Sequence, residues 1–234
     1  MLRQKFYSAA LLIFCSLITA GHIKKLPDLT PKNSIATPVR ILQEPVFTPP
    51  VFDLNPVALQ FATAYIKENN WGLERLKKRS RSTFKIINSA FSKQAIPVEL
   101  KYMAVVESNL NSDTVCNSSG ATGIWQLMPF TADELGLKIA GDYDERLHIY
   151  KSSVAVAKYL KQLYAEFGDW LLVIAAYNSG PAKVARAIKL SGSDDFWTLQ
   201  NLLPAETRNH VKRYLSVLHF FEGQNKMAPG HITT

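Results

Sequence analysis

The sequence is poor in cysteine. It has two cysteines in 234 residues, and Cys15 lies in an apolar stretch near the N-terminus, which leaves Cys116. One cysteine cannot form an internal disulfide, and a zinc site needs clustered cysteine and histidine residues. We therefore expect no metal and no cofactor. We interpret Cys116 as an unpaired residue of a polar loop rather than as a nucleophile.

Patterns typical of β-strands are nearly absent, and no internal repeat is visible. From Val57 onward apolar residues recur at helical spacing, and the apolar fraction of 47% is enough for a real core. We predict an all-α fold. The predicted helices are FATAYIKENN, a second from about Gly72 to Ser92, one that starts at Pro97 and carries Glu107, residues 151–167 ending at Gly168, residues 170–177 capped by Asp169, residues 182–188 after Gly180 and Pro181, and residues 207–221.

The N-terminus has no apolar run of the roughly 20 residues that a membrane-spanning helix needs. Arg3 and Lys5 precede the uncharged residues 6–20, and small residues follow. This order predicts a secretory signal peptide in residues 1–21. The alternative is an uncleaved N-terminal anchor. Residues 22–56 are rich in proline, which predicts an extended linker.

The charge balance is basic, with a formal net charge of +8. An exported basic protein suits an anionic partner such as nucleic acid, a membrane surface or a cell wall. The densest basic run, residues 77–81, could contact such a partner. A solvated helix face is the interpretation that we favour for it.

Glu107 lies where a carboxylate is costly. Leu100, Met103 and Ala104 are its neighbours on one face of the predicted helix, so its side chain shares the apolar face. Two further segments, GATGIWQLMP (120–129) and AAYNSGP (175–181), place polar groups beside turns. Taken singly, the glycines indicate a turn, Asn178 a helix cap and Trp125 a core residue. Taken together, an acid, amides, a tyrosine and a tryptophan are typical of a carbohydrate site.

The motifs ES, GATGIWQLMPFTA, AAYNSGP and ETRNHV resemble, in this order, the goose-lysozyme-like lytic transglycosylases of the SLT family, in particular the membrane-bound lytic murein transglycosylase D type. The resemblance covers about residues 95–220. It implies a lysozyme-like helical domain with a saccharide groove, with Glu107 as the catalytic acid. It also implies that substrate-binding positions of the groove are held by Ser108, Gln126, Met128, Tyr177 and Asn178.

The family cleaves the β-1,4 bond between N-acetylmuramic acid and N-acetylglucosamine and forms 1,6-anhydromuramic ends. Burial favours the protonated form of a carboxyl group, which a proton donor needs near neutral pH. The same glutamate, once ionised, can act as base toward the C6 hydroxyl, so no second acid is required. We interpret Asp113 as a loop residue, Asp133 as a helix-start residue, and Glu206 as a partner of N–H groups or an arginine.

One departure from the family lies in ETRNHV, where His210 stands at a position that is commonly tyrosine. The alternatives are a muramidase on the same fold, a non-catalytic wall-binding module, and a nucleic-acid binder. Export and the lack of a basic–aromatic recognition motif oppose the last.

The expected organisation is a signal peptide or anchor in 1–21, a linker in 22–56, a helical extension in 57–94, the catalytic domain in 95–225 and a tail in 226–234. We expect a monomer in the bacterial cell envelope, periplasmic or attached to the membrane by its N-terminus. Its partner is expected to be the glycan strands of peptidoglycan and not nucleic acid.

Overall fold

Helix α1 (Pro56–Arg79) opens the part of the chain that the structure, a computed structural model, describes, which is residues 54–223. Asn55 caps it, because its side-chain oxygen accepts a hydrogen bond from the backbone N–H of Ala58 at 2.8 Å. The predicted signal or anchor segment, the linker up to residue 53 and the tail lie outside the described residues.

The predicted break between the first two helices was wrong. Helix α1 continues through Gly72 to Arg79, and α2 (Arg81–Lys93) begins directly after Ser80. A glycine weakens a helix interior by about 1 kcal/mol but does not forbid the helix. Leu73 and Leu76, which follow the glycine, are buried in the core, and their packing outweighs this cost.

Glu107 lies in a short helix that follows a tighter turn. A 3-10 helix (Val98–Tyr102) leads into α3 (Met103–Ser108), so Pro97 caps a 3-10 turn rather than starting the α-helix itself. After a long loop come α4 (Pro129–Glu134), a hairpin of β1 (Ile139–Ala140) and β2 (Tyr143–Asp144), and a 3-10 helix (Glu145–Leu147). In the antiparallel hairpin Ile139 pairs with Asp144 and Ala140 with Tyr143.

The second half of the chain follows the predicted helices closely. It consists of α5 (Ile149–Phe167), α6 (Trp170–Ser179), α7 (Pro181–Ser191), α8 (Phe196–Leu199), a 3-10 helix (Gln200–Leu202) and α9 (Ala205–Glu222). Gly168 ends α5 in the left-handed conformation with a φ of 67°. The Asp169 carboxylate accepts from the Leu172 N–H at 2.9 Å and caps α6. The predicted all-α class is confirmed for the described residues.

Helix α6 is the centre of the core. All residues from Trp170 to Ala176 are buried, and α5, α7 and α9 pack around them. Helix α1 lies along α9, and α2 packs against α5, so the first two helices share one core with the rest of the described chain. This arrangement brings the end of α3, the start of α9 and the loop before α4 together.

Candidate active site

Glu107 sits at the exposed end of a buried helix. Met103 and Ala104, its neighbours on the preceding turn, are fully buried, whereas the Glu107 side chain is 15% exposed. Asn109 ends the helix in the left-handed conformation with a φ of 54°. The carboxyl group is therefore largely shielded from solvent but still reachable, as a proton-transfer group must be.

His210 of α9 is the hydrogen-bonding partner of Glu107. Its Nε2 lies 2.8 Å from Glu107 Oε1, and the histidine side chain is 3% exposed. The other ring nitrogen, Nδ1, is buried and meets no hydrogen-bond partner among the described residues. The position that departs from the family pattern is thus the one in direct contact with the candidate acid.

Residues 120–128, which we call the glycine loop, are tied to the elements around Glu107. The Ser108 hydroxyl lies 2.9 Å from the carbonyl oxygen of Ile124 and 3.2 Å from that of Ala104. The Tyr177 hydroxyl donates to the carbonyl oxygen of Trp125 at 2.7 Å. Burial, and secondly the negative charge of Glu107, raise the pKa of Tyr177 well above its ordinary value, so this hydroxyl keeps its proton and stays a donor.

Gln126 and Met128 are half-buried residues of the glycine loop. Gln126 has a φ of 49°, rare for a residue with a side chain. Its amide Nε2 donates to the carbonyl oxygens of Gly123 at 2.8 Å and Thr114 at 3.2 Å. The amide nitrogen is therefore committed to two backbone carbonyl oxygens, and a substrate contact would fall to the carbonyl oxygen of the Gln126 side chain. Asn178, at the end of α6, is also half-buried.

Residues 85–200 match the family model described as Transglycosylase SLT domain. The chain is also 38% identical over 130 residues to the membrane-bound lytic murein transglycosylase D of Escherichia coli strain K12, an alignment that spans 53% of this chain and 28% of that protein. Residues 85–200 are a transglycosylase SLT domain. The chain spans less than a third of the length of this curated relative.

Solved structures show the same fold. The SLT domain and its flanking helices resemble the lytic transglycosylase Slt of Pseudomonas aeruginosa, solved as an inactive mutant, with a TM-score of 0.53 and 22% identity over 76% of this chain and 32% of that one. For the 70 kDa soluble lytic transglycosylase of Escherichia coli the TM-score is 0.52 and the identity 25%, over 73% and 32% of the two chains. The lysozyme-like transglycosylase fold expected from the sequence is confirmed.

Trp125 belongs to the core of the SLT domain and offers no platform to a sugar. It is fully buried, stacks on Phe91 with ring centroids 5.5 Å apart, and its indole N–H donates to the Ser153 hydroxyl at 3.0 Å. Asp133, expected at a helix start, lies next to the last residue of α4. Glu206 pairs with Arg213, in agreement with the structural role predicted for it.

Arg146 holds the glycine loop in place, and it is not among the site residues predicted from the sequence. Its guanidinium pairs with Asp144, and its Nη1 donates to the carbonyl oxygens of Gly120 at 2.7 Å and Leu127 at 3.0 Å. The hydrogen bonds that the Arg146 side chain donates to the Asp144 carboxylate lower the pKa of Asp144. The available signal in the sequence was the arginine of YDER (143–146), which directly follows two acids that could pair with it, because buried charges need partners.

Gly123 permits the close approach that this clamp requires. A Cβ at this position would lie 2.2 Å from the Arg146 carbonyl oxygen, and its φ is 81°. Gly136 has a similar φ of 74°, but a Cβ there would meet nothing within 4 Å. Comparing the two glycines therefore separates the cost of a positive φ, which both share, from the cost of the contact with Arg146, which only Gly123 makes.

We expect Gly123→Ala to lower the free energy of unfolding by clearly more than Gly136→Ala. Each substitution carries the strain of a left-handed alanine, about 1 kcal/mol or more, but only the first forces the backbone of Arg146 to move. Urea denaturation of both variants measures the difference. Equal losses of stability would show that the approach of Gly123 to Arg146 is not a constraint on the fold.

Proposed function

We propose that the chain is an exported peptidoglycan lytic transglycosylase in which Glu107 alone acts as acid and then as base. The observation that carries the proposal is the Glu107 carboxyl group, shielded to 15% exposure and held by a buried histidine. The match to the SLT domain family over residues 85–200 supports it.

The reaction needs one group that gives and takes a proton. Protonated Glu107 gives its proton to the glycosidic oxygen as the bond from that oxygen to C1 of N-acetylmuramic acid breaks. The N-acetyl group of the same sugar stabilises the cation that develops at C1. The Glu107 carboxylate then takes the proton of the C6 hydroxyl as its oxygen attacks C1. The 1,6-anhydro ring closes, no water is consumed, and Glu107 is protonated again.

Several other shielded acids already serve the structure. Asp144 pairs with Arg146, Glu145 with Lys151, Asp169 caps α6, and Glu222 accepts from the Tyr102 hydroxyl. Hydrogen bonds from the Lys138 backbone and the Lys151 side chain lower the pKa of Glu145. These acids are already bound to fixed groups of the structure, which supports a mechanism that relies on a single carboxyl group.

His210 is a positioning residue in this proposal. A buried N–H without an acceptor costs more than a buried ring nitrogen without a donor, so we place the proton of the neutral imidazole on Nε2. The histidine then donates to Glu107 Oε1 and fixes the plane of the carboxyl group. The second oxygen, Oε2, is the one assigned to face the glycosidic bond.

Export rests on the sequence of residues 1–21 and agrees with the name of the relative, a membrane-bound lytic murein transglycosylase. Between residues 54 and 223 the structure contains no helix with both the length and the apolar character to cross a bilayer. Attachment to the membrane, where it occurs, is assigned to the N-terminal segment.

Glu107→Gln should lower the rate at which anhydro-ended muropeptides appear from purified sacculi by on the order of 10²–10⁴-fold, because the amide cannot cycle a proton. The melting temperature should hold or rise, since a shielded charge is removed. Mass spectrometry of the released muropeptides measures the rate, and Glu134→Gln, an exposed acid on α4, is the control. Wild-type rates from Glu107→Gln would refute the proposed acid, and reducing ends from the wild type would make the enzyme a muramidase.

The role of His210 is tested by a pair of variants. His210→Gln can present an amide N–H near the position of Nε2, whereas His210→Phe cannot donate. Loss of a hydrogen bond to a charged group is worth about 1.5–3 kcal/mol, so His210→Phe should lower kcat on a soluble glycan fragment by roughly 10- to 100-fold at similar KM. His210→Gln should recover much of it. If kcat falls equally in both variants, and the fall matches the loss of folded protein, His210 serves the core only.

A further inference from the structure

A cleft lies beside α1 and reaches Asn109, which follows the proposed acid in the sequence. Its volume is about 290 Å³, and its lining residues come from one side of α1, between Tyr65 and Arg79, and from Asn109. Asn109 follows Glu107 by two residues, and Arg79 Nη2 donates to its carbonyl oxygen at 3.1 Å. Helix α1 precedes residues 85–200, so most of this cleft is built outside the part of the chain that matches the SLT domain.

Trp71 presents an indole at the cleft without burying it. Trp71 is 73% exposed. Exposing so large an apolar side chain to water is costly. The guanidinium of Arg75 lies 4.4 Å from the ring centroid and covers part of the ring. The remaining surface is available to a flat ligand with an apolar face, which is what the C–H face of a sugar ring offers.

Gly72 opens the floor of the cleft. It lies in the middle of α1, where glycine is less favourable than any other residue except proline. Its backbone does not need a positive φ, and a Cβ would meet nothing within 4 Å. Neither the helix nor a neighbour requires a glycine, and what its missing side chain provides is space between Asn69 and Leu76.

The charges at the cleft favour an anionic ligand. Arg75 and Arg79 both line it, and Lys77 and Lys78 lie on the same last turns of α1. An arginine fork suits a carboxylate. A glycan strand whose sugars carry peptides combines apolar sugar faces with carboxylates, and Asn109, which lines the cleft, follows the proposed acid by two residues.

We propose that this cleft is a subsite for the glycan strand, in which Trp71 stacks on a sugar ring and Arg75 and Arg79 pair with a carboxylate of its peptide. The assignment rests on the proposed function, because it takes its ligand from the reaction at Glu107. The subsite binds a sugar remote from the cleaved bond. It therefore raises affinity for long strands and leaves the chemical step unchanged.

The test measures binding and turnover separately in the full chain. In a Glu107→Gln background, co-sedimentation with purified sacculi should show Trp71→Ala binding about 3- to 10-fold more weakly. Gly72→Leu, which fills the floor, should weaken binding equally while the melting temperature holds or rises. Leu190→Ala and Arg186→Ala on the exposed side of α7 are matched controls and should bind normally.

With Glu107 intact, Trp71→Ala should raise KM for a long glycan fragment and keep kcat. Sacculus binding by Trp71→Ala and Gly72→Leu at the level of the α7 controls would overturn the subsite. The subsite would also be overturned if these two variants bound sacculi normally but no longer bound vesicles of phosphatidylglycerol, because the occupant of the cleft would then be lipid. If the wild type yields no anhydro ends but binding still depends on Trp71, the proposed reaction fails and the glycan subsite stands.

Discussion

The hydrogen bond between Glu107 and His210 joins two helices that are 103 residues apart in the sequence, and the arrangement of the site depends on it. Helix α3 is only six residues long and cannot hold a carboxyl group rigidly by itself. Helix α9 can, because Val211, Tyr214 and Leu215 are fully buried. The bond transfers the rigidity of that helix to the side chain proposed to move the proton.

The glycine loop lacks a helical or sheet ladder of its own along most of its length, so side chains and single bridges must fix it. Thr122 pairs with Val115 and Leu127 through isolated bridges, while Arg146 satisfies the carbonyl oxygens of Gly120 and Leu127 from outside. The Ser108 hydroxyl donates to the carbonyl oxygen of Ile124, and the Tyr177 hydroxyl donates to that of Trp125. Backbone groups near the proposed acid are thus held by side chains from three different elements, as precise positioning of a substrate requires.

Local signals predicted most of the helices, and long-range contacts explain the errors. Gly168, Asp169 and the Gly180–Pro181 pair act within one turn of a helix end, so they could be read directly. The break expected at Gly72 was wrong because burial against α9, which no local pattern shows, carries α1 through it. The contact of His210 with Glu107, like the clamp of Arg146, involves residues far apart in sequence whose neighbours only the folded chain defines.

The histidine also has to leave the proposed proton cycle undisturbed. A reaction with one carboxyl group fails if a neighbouring base keeps the proton that must return to the substrate. In the neutral ring, a proton on Nδ1 would be buried without an acceptor among the described residues. An unpaired buried group typically costs about 1–3 kcal/mol, so the tautomer assigned here carries its proton on Nε2. In this form the histidine can only donate to Glu107, as a tyrosine hydroxyl at the same position could, and the proton exchanged with the substrate stays on the glutamate.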